Sequence, residues 1–235
     1  MRKKVSTPFI ALLLIALSSS NAANLEVTFE AMSRTVRVKS SLSWGHGLML
    51  NDGQILTAAH VVDKLDKQSE LEILDLHGRH VGKATILKVA DRETTDLALL
   101  ALKPVDPSMP QKFAILPVCK KNIVGGDPIF VAYENTGVIT HASMDDVFIQ
   151  LRGSGDFSIA TQAFFSNGVS GSGVYSMKDG CLAGVISRRS STGLGNNSCL
   201  KTIAKGLTED KACGAYFGTE FVPAESIASF LRSES

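Results

Sequence analysis

Three short stretches carry side chains that could do chemistry together. "ILTAAHVV" holds His60, "TTDLALL" holds Asp96, and "SNGVSGSGVY" holds Ser170 and Ser172. A serine hydroxyl is a weak nucleophile at neutral pH until a base takes its proton. Imidazole is the side chain whose pKa suits that exchange, and a buried carboxylate fixes its tautomer and stabilises the imidazolium that forms. The three residue types point to acyl transfer at a serine, in the chain order His, Asp, Ser.

The stretches "LTAAHVV", "TDLALL" and "GVSGSG", in that order, resemble the trypsin-like (chymotrypsin-fold) serine peptidases. In wording they are similar to bacterial members related to the high-temperature-requirement proteases. The resemblance runs from about Trp44 to the C-terminal helix, and "TQAFFSNGVSGSG" lies without a gap on the stretch those proteases carry before the nucleophile. In that pattern the nucleophile stands two positions after one glycine and immediately before another. Gly168, Ser170 and Gly171 fit, so the resemblance implies that Ser170 reacts and that the N–H groups of Gly168 and Ser170 form the oxyanion hole. Residue chemistry agrees: Gly168 tolerates the positive φ of a sharp turn, and Gly171 leaves room behind the nucleophile. Ser172 has Ser170 where that first glycine should stand, and reads as a small packing residue. An α/β-hydrolase esterase is set aside because its order is Ser, Asp, His.

Departures from the family pattern carry information too. Val169 occupies the position where mammalian-type members hold an aspartate that pairs with a freed N-terminus, so zymogen cleavage of that kind is not expected. "IVGGD" at 123–127 reads instead as a turn entering a strand. The alignment implies a specificity pocket with its base near Phe164 and Phe165 and a wall from Ile186, Ser187 and Arg188, with Arg189 next. With no acid at the base, a small or medium apolar side chain is expected before the scissile bond, rather than lysine or arginine. The expected activity is that of a serine endopeptidase acting on protein or peptide. The competing reading is a catalytically silent binding module whose pocket the two phenylalanines fill. No appended peptide-binding (PDZ) domain is expected after the C-terminal helix, and the chain reads as a monomer.

The frame that must position these residues is read from composition and periodicity. Arg2, Lys3 and Lys4, the apolar run Pro8 to Leu17, and Ser20-Asn21-Ala22 read as a secretory signal peptide over residues 1–22. Residues 23–235 are then one exported domain, secreted or periplasmic, with no membrane anchor after cleavage. A formal net charge of +1 leaves no electrostatic footprint for nucleic acid. In an oxidising compartment Cys119, Cys181, Cys199 and Cys213 read as two disulfides, with all three pairings open, Cys119–Cys181 with Cys199–Cys213 among them. Their spacing contains no C-x-x-C, and His46, His77, His80 and His141 read as surface or structural, so neither metal nor cofactor is expected.

Short apolar runs separated by turn signals recur at 35–38, 47–50, 55–57, 71–76, 84–89, 97–102, 129–133, 147–151, 173–176, 182–187 and 216–222. That pattern predicts an all-β protein. With the family resemblance it becomes two six-stranded antiparallel barrels, at about 30–105 and 127–222, joined by a proline-rich connector at about 106–126. Pro223 followed by Ile227, Phe230 and Leu231 on one face predicts a short C-terminal helix at about 223–233, and a single helical turn is expected after His60.

Overall fold

The computed structural model describes residues 25–50, 53–66, 69–106, 117–142, 159–161, 165, 167–191 and 217–233. The proposed leader at 1–22, the run at 147–151, Phe164, Cys199 and Cys213 lie outside the described residues.

Six strands, β1 (Thr35–Lys39), β2 (Trp44–Met49), β3 (Gln54–Thr57), β4 (Leu71–Leu74), β5 (His80–Val89) and β6 (Ala98–Pro104), close into a barrel in the order β1-β2-β3-β6-β5-β4. Alternation drives the closure. Val36 and Val38 of β1, Leu71 and Ile73 of β4, and Ala84 and Ile86 of β5 point one way and fill the interior with Ile55 and Leu100.

The second half is a six-stranded sheet built from β7 (Pro128–Tyr133), β8 (Thr136–His141), β9 (Ile159–Thr161), β10 (Gly173–Ser176), β11 (Leu182–Ser191) and β12 (Phe217–Pro223), in the order β8-β7-β10-β11-β12-β9. Among the described residues its edge strands β8 and β9 are not joined, so only the first half forms a closed ring. Strand β10 is buried along its whole length, because β7 and β11 flank it and both its faces are covered. The final helix, Ala224–Arg232, begins right after Pro223 and buries Ala224, Ile227 and Phe230.

An apolar cluster joins the two halves. Leu48, Leu56 and Leu97 of the barrel pack with Tyr175, Leu182 and Val222 of the sheet, and with Ile227 and Phe230 of the helix. Lys88 of β5 reaches the C-terminal end of that helix and donates to the carbonyls of Phe230, at 2.8 Å, and Ser233, at 2.5 Å. A cation there satisfies carbonyls that have no intrahelical partner and complements the negative end of the helix dipole.

Three elements were not foreseen. Residues 25–34 are helical and insert Ala31 into the cluster between the halves. Strand β8 sits at an edge with Ile139 exposed, and β9 is three residues long, so neither carries a strong alternating signal. Of the expected cysteine pairs, Cys119–Cys181 is present and ties the connector to β11, where Cys119 N–H donates to Leu182 O and Leu182 N–H to Pro117 O, both at 2.9 Å. Replacing both cysteines by alanine is predicted to lower the unfolding free energy by about 4 kcal/mol, the chain-entropy value for a cross-link spanning 62 residues. Denaturant midpoints of the two forms check this.

Candidate active site

His60 sits in a short 3-10 turn, Ala59–Val61, that follows β3. Asp96 closes a tight turn before β6, in which Asp91 O accepts the N–H groups of Thr95 and Asp96, both at 2.9 Å, and Asp91 Oδ1 accepts that of Glu93 at 2.7 Å. Asp91 thus shapes the turn that presents Asp96. The turn forces Asp96 to φ +47°, a left-handed conformation that aspartate tolerates better than most residues.

Asp96 is 2% exposed and is held from three directions. Its Oδ2 lies 2.8 Å from His60 Nδ1, its Oδ1 accepts the main-chain N–H of His60 at 2.9 Å, and the Ser187 hydroxyl donates to Oδ2. A carboxylate oxygen accepts, so the contact puts a proton on His60 Nδ1 and, in the neutral tautomer, the lone pair on Nε2. Ser187, expected only as a pocket wall, also bonds this carboxylate. That contact joins β11 to the turn before β6 and has no local sequence signal.

The segment from Gly168 to Ser172 is pressed against β2. His46 N–H donates to Ser170 O at 2.7 Å, Gly171 N–H to Ile186 O at 2.8 Å, and Ser172 N–H to Val169 O at 3.0 Å. Gly171 is at φ +87°, and a Cβ there would stand 1.9 Å from His46 O and 2.4 Å from Thr57 Oγ1. Gly168 is at φ +92°, with the ring of Trp44 where a Cβ would project. No acceptor for the N–H of Gly168 or of Ser170 occurs among the described residues. The Ser170 hydroxyl donates to Ser187 O at 3.2 Å. Ser172 is buried, and its hydroxyl has no partner among the described residues.

His46, expected to be surface or structural, is structural: it is fully buried. Its ring lies between Gly168 O, 2.6 Å from Nδ1, and Glu134 N–H, 3.1 Å from Nε2. Burial pulls its pKa below the ordinary 6.5, against the opposing pull of the Gly168 carbonyl. The glycines on either side of it were the available signal: a Cβ on Gly45 would lie 2.8 Å from Ser170 O.

One cavity of about 240 Å³ is lined by His60, Asp96, Gly168, Ser170, Ile186, Ser187 and Arg188, and by Arg92, Asn167 and Thr219, which the sequence did not single out. Phe165 is not on its wall. It is buried in the core of the second half, edge-on to Tyr133 with ring centroids 5.3 Å apart. Arg188 is engaged by Glu220 Oε2 at 3.2 Å and by Glu93 Oε2 at 3.6 Å. No cluster of potential metal ligands occurs among the described residues. An imidazole, a serine hydroxyl and two main-chain donors around one cavity are the groups that acyl transfer uses.

Residues 45–185 match the trypsin-like peptidase domain, and the chain belongs to that family. No curated protein matches it. Among solved structures it is similar to Rv3671c of Mycobacterium tuberculosis in an inactive form of a serine-to-alanine variant, with 16% identity, a TM-score of 0.56, and 87% of this chain and 88% of that one covered. The MamO protease domain of Magnetospirillum magneticum, in its apo form, gives 16% identity and a TM-score of 0.54 over 85% of this chain and 96% of that one. A serine protease of human pathogenic astrovirus gives 15% and 0.50 over 81% and 90%. At these identities the likeness is one of fold, and the fold is that of the trypsin-like proteases.

The close fit of Gly171 predicts that Gly171→Ala lowers stability by more than about 2 kcal/mol, since both its φ and its neighbours exclude a side chain. Ser172→Ala, which removes a buried hydroxyl with no partner among the described residues, is predicted to change stability by less than about 1 kcal/mol. Denaturant unfolding of the two variants reads both.

Proposed function

We propose that this chain is an exported serine endopeptidase in which Ser170 is the nucleophile, His60 the base and then the acid, and Asp96 the group that orients His60. The observation that carries the reading is the 2.8 Å contact between His60 Nδ1 and Asp96 Oδ2 in the cavity that Ser170 also lines. As Ser170 Oγ attacks the scissile carbonyl, its proton passes to His60 Nε2, and the carbonyl electron pair moves to oxygen. The N–H groups of Gly168 and Ser170 receive that oxyanion. Collapse of the tetrahedral species expels the amine, which takes the proton from His60 and leaves an acyl-Ser170 ester. Water, deprotonated by His60, then releases the acid and restores the hydroxyl.

The substrate residue before the cut is a small or medium apolar one. Val169 and Ile186 line the cavity, and both cations on its wall are engaged, Arg188 by Glu93 and Glu220 and Arg92 by Asp63 and Glu93, which leaves little free charge for a substrate acid. Export follows from the leader at 1–22, and the disulfide Cys119–Cys181 is compatible with it. No described helix is long and apolar enough to cross a membrane.

One observation favours the silent binding module. The Ser170 hydroxyl is bonded to Ser187 O rather than to His60. A turn about one side-chain torsion frees it, and catalytic hydrogen bonds commonly tighten only when substrate is bound.

A fluorophosphonate probe on the purified mature protein separates the readings. Labelling at Ser170 that is abolished in His60→Ala and retained in Ser172→Ala is the expected result, and a folded protein that takes no label supports the binding module. On the peptidase reading, Asp96→Asn lowers kcat on a peptide substrate by a factor on the order of 10⁴, because the imidazole is then held in the wrong tautomer. A peptide-library profile dominated by lysine and arginine before the cut would contradict the proposed preference.

A further inference from the structure

His46 takes no part in the chemistry proposed above, yet it is fully buried and makes four polar contacts, two of them to the nucleophile segment. Its partners define the state of its ring. Gly168 O, 2.6 Å from Nδ1, can only accept, and the Glu134 N–H, 3.1 Å from Nε2, can only donate. The ring is therefore neutral, with its proton on Nδ1 and a lone pair on Nε2. The main chain of the same residue donates to Ser170 O at 2.7 Å, and its carbonyl takes the Thr57 hydroxyl at 2.6 Å.

A single residue of β2 thus grips two carbonyls of the segment, Gly168 O with its side chain and Ser170 O with its backbone. The grip matters because Gly168, at φ +92° and without a Cβ, offers little resistance of its own to turning. Its orientation has to be imposed from outside. The third anchor is itself unusual: Glu134, in the turn between β7 and β8, is a non-glycine residue at φ +51° whose N–H meets the ring.

We propose that His46 is a positioning residue that holds the Gly168 segment in the conformation able to bind an oxyanion, and that protonation of its ring releases that segment. The proposal rests on the peptidase reading only in taking Gly168 N–H as part of the oxyanion hole. A proton on Nε2 would set two donors, imidazolium N–H and Glu134 N–H, face to face. Burial is the largest force against that proton, and Arg37, paired with His46 across β1 and β2, adds to it. The Gly168 carbonyl and the Glu134 carboxylate favour it. The balance lies on the neutral side, so the unfolded chain binds this proton more readily than the folded one. The stability His46 contributes is therefore complete above pH 6.5 and is lost as pH falls through its lower folded value.

The molecule carries its own reporter. Trp44 is the single tryptophan of the chain; its ring covers Gly168 and stands edge-on to His46, with centroids 6.2 Å apart. A nearby imidazolium quenches indole emission, so the fluorescence of Ser170→Ala protein, titrated from about pH 8 to about pH 4, reads the ring without turnover. The expected result is a transition with its midpoint below 6.5 that disappears when His46→Gln is added and persists when His60→Ala is added. Emission that is flat while the protein stays folded overturns the proposal, as does a transition that survives His46→Gln or vanishes with His60→Ala. Should His46→Gln not fold, the imidazole C–H resonance of His46 replaces it: coincidence of its midpoint with that of Trp44 supports the latch, and separated midpoints overturn it. In the active protein, His46→Gln is expected to lower kcat at least about 10-fold with KM little changed, as for the loss of an oxyanion donor. A Trp44 transition in a chain that hydrolyses nothing refutes the peptidase and keeps the latch. An active enzyme without the transition does the reverse.

Discussion

The backbone of the nucleophile segment lies so close to β2 that no side chain fits between them. His46 O would be 1.9 Å from a Cβ on Gly171, and Ser170 O would be 2.8 Å from one on Gly45. At that separation His46 N–H bonds Ser170 O directly, at 2.7 Å. The glycines on both sides of the contact follow from it, because a main chain can approach another main chain this closely only where a Cβ is missing. The contact joins residues far apart in the chain, so it forms only when the barrel and the second sheet are docked. The apolar cluster of Leu48, Leu56, Tyr175 and Val222 holds them in that arrangement.

The same docking assembles the polar side of the cavity. Asp96 comes from the barrel and the Ser187 hydroxyl from β11, and they meet only across the junction. The carboxylate has little access to water and accepts three hydrogen bonds in its place, the arrangement that lets a charge be buried without a large penalty. Its left-handed backbone is the local cost of pointing it inward, offset by the Asp91 turn and by the bond from Ala59 N–H to Asp96 O at 3.1 Å.

Much of this was legible in the sequence. Alternating apolar residues marked β1, β4 and β5, glycine and aspartate marked the turns, and Pro223 with its apolar stripe marked the last helix. His60 and Asp96 stand out by residue type and order, Gly168 and Ser170 by the family resemblance, and the fold brings all four to one cavity. What escaped had physical reasons. Strand β9 is only three residues long and β8 is an exposed edge, so neither carries a strong alternating pattern. The contacts of His46 span 122 and 88 residues, and that of Ser187 with Asp96 spans 91, distances at which local spacing carries no information. Phe165 was aligned to the pocket base, but its ring is drawn into the core against Tyr133.

On the proposed chemistry, this frame holds an oxyanion between Gly168 and Ser170 once Ser170 has attacked. A crystal structure of the protein soaked with a peptide boronic acid would show whether it does. The expected result is a covalent bond from Ser170 Oγ to boron, with the side chain turned away from Ser187 O and one boronate oxygen within hydrogen-bond distance of both N–H groups. A Ser170 hydroxyl left on Ser187 O, or a boronate adduct with no oxygen near Gly168, would rule the arrangement out.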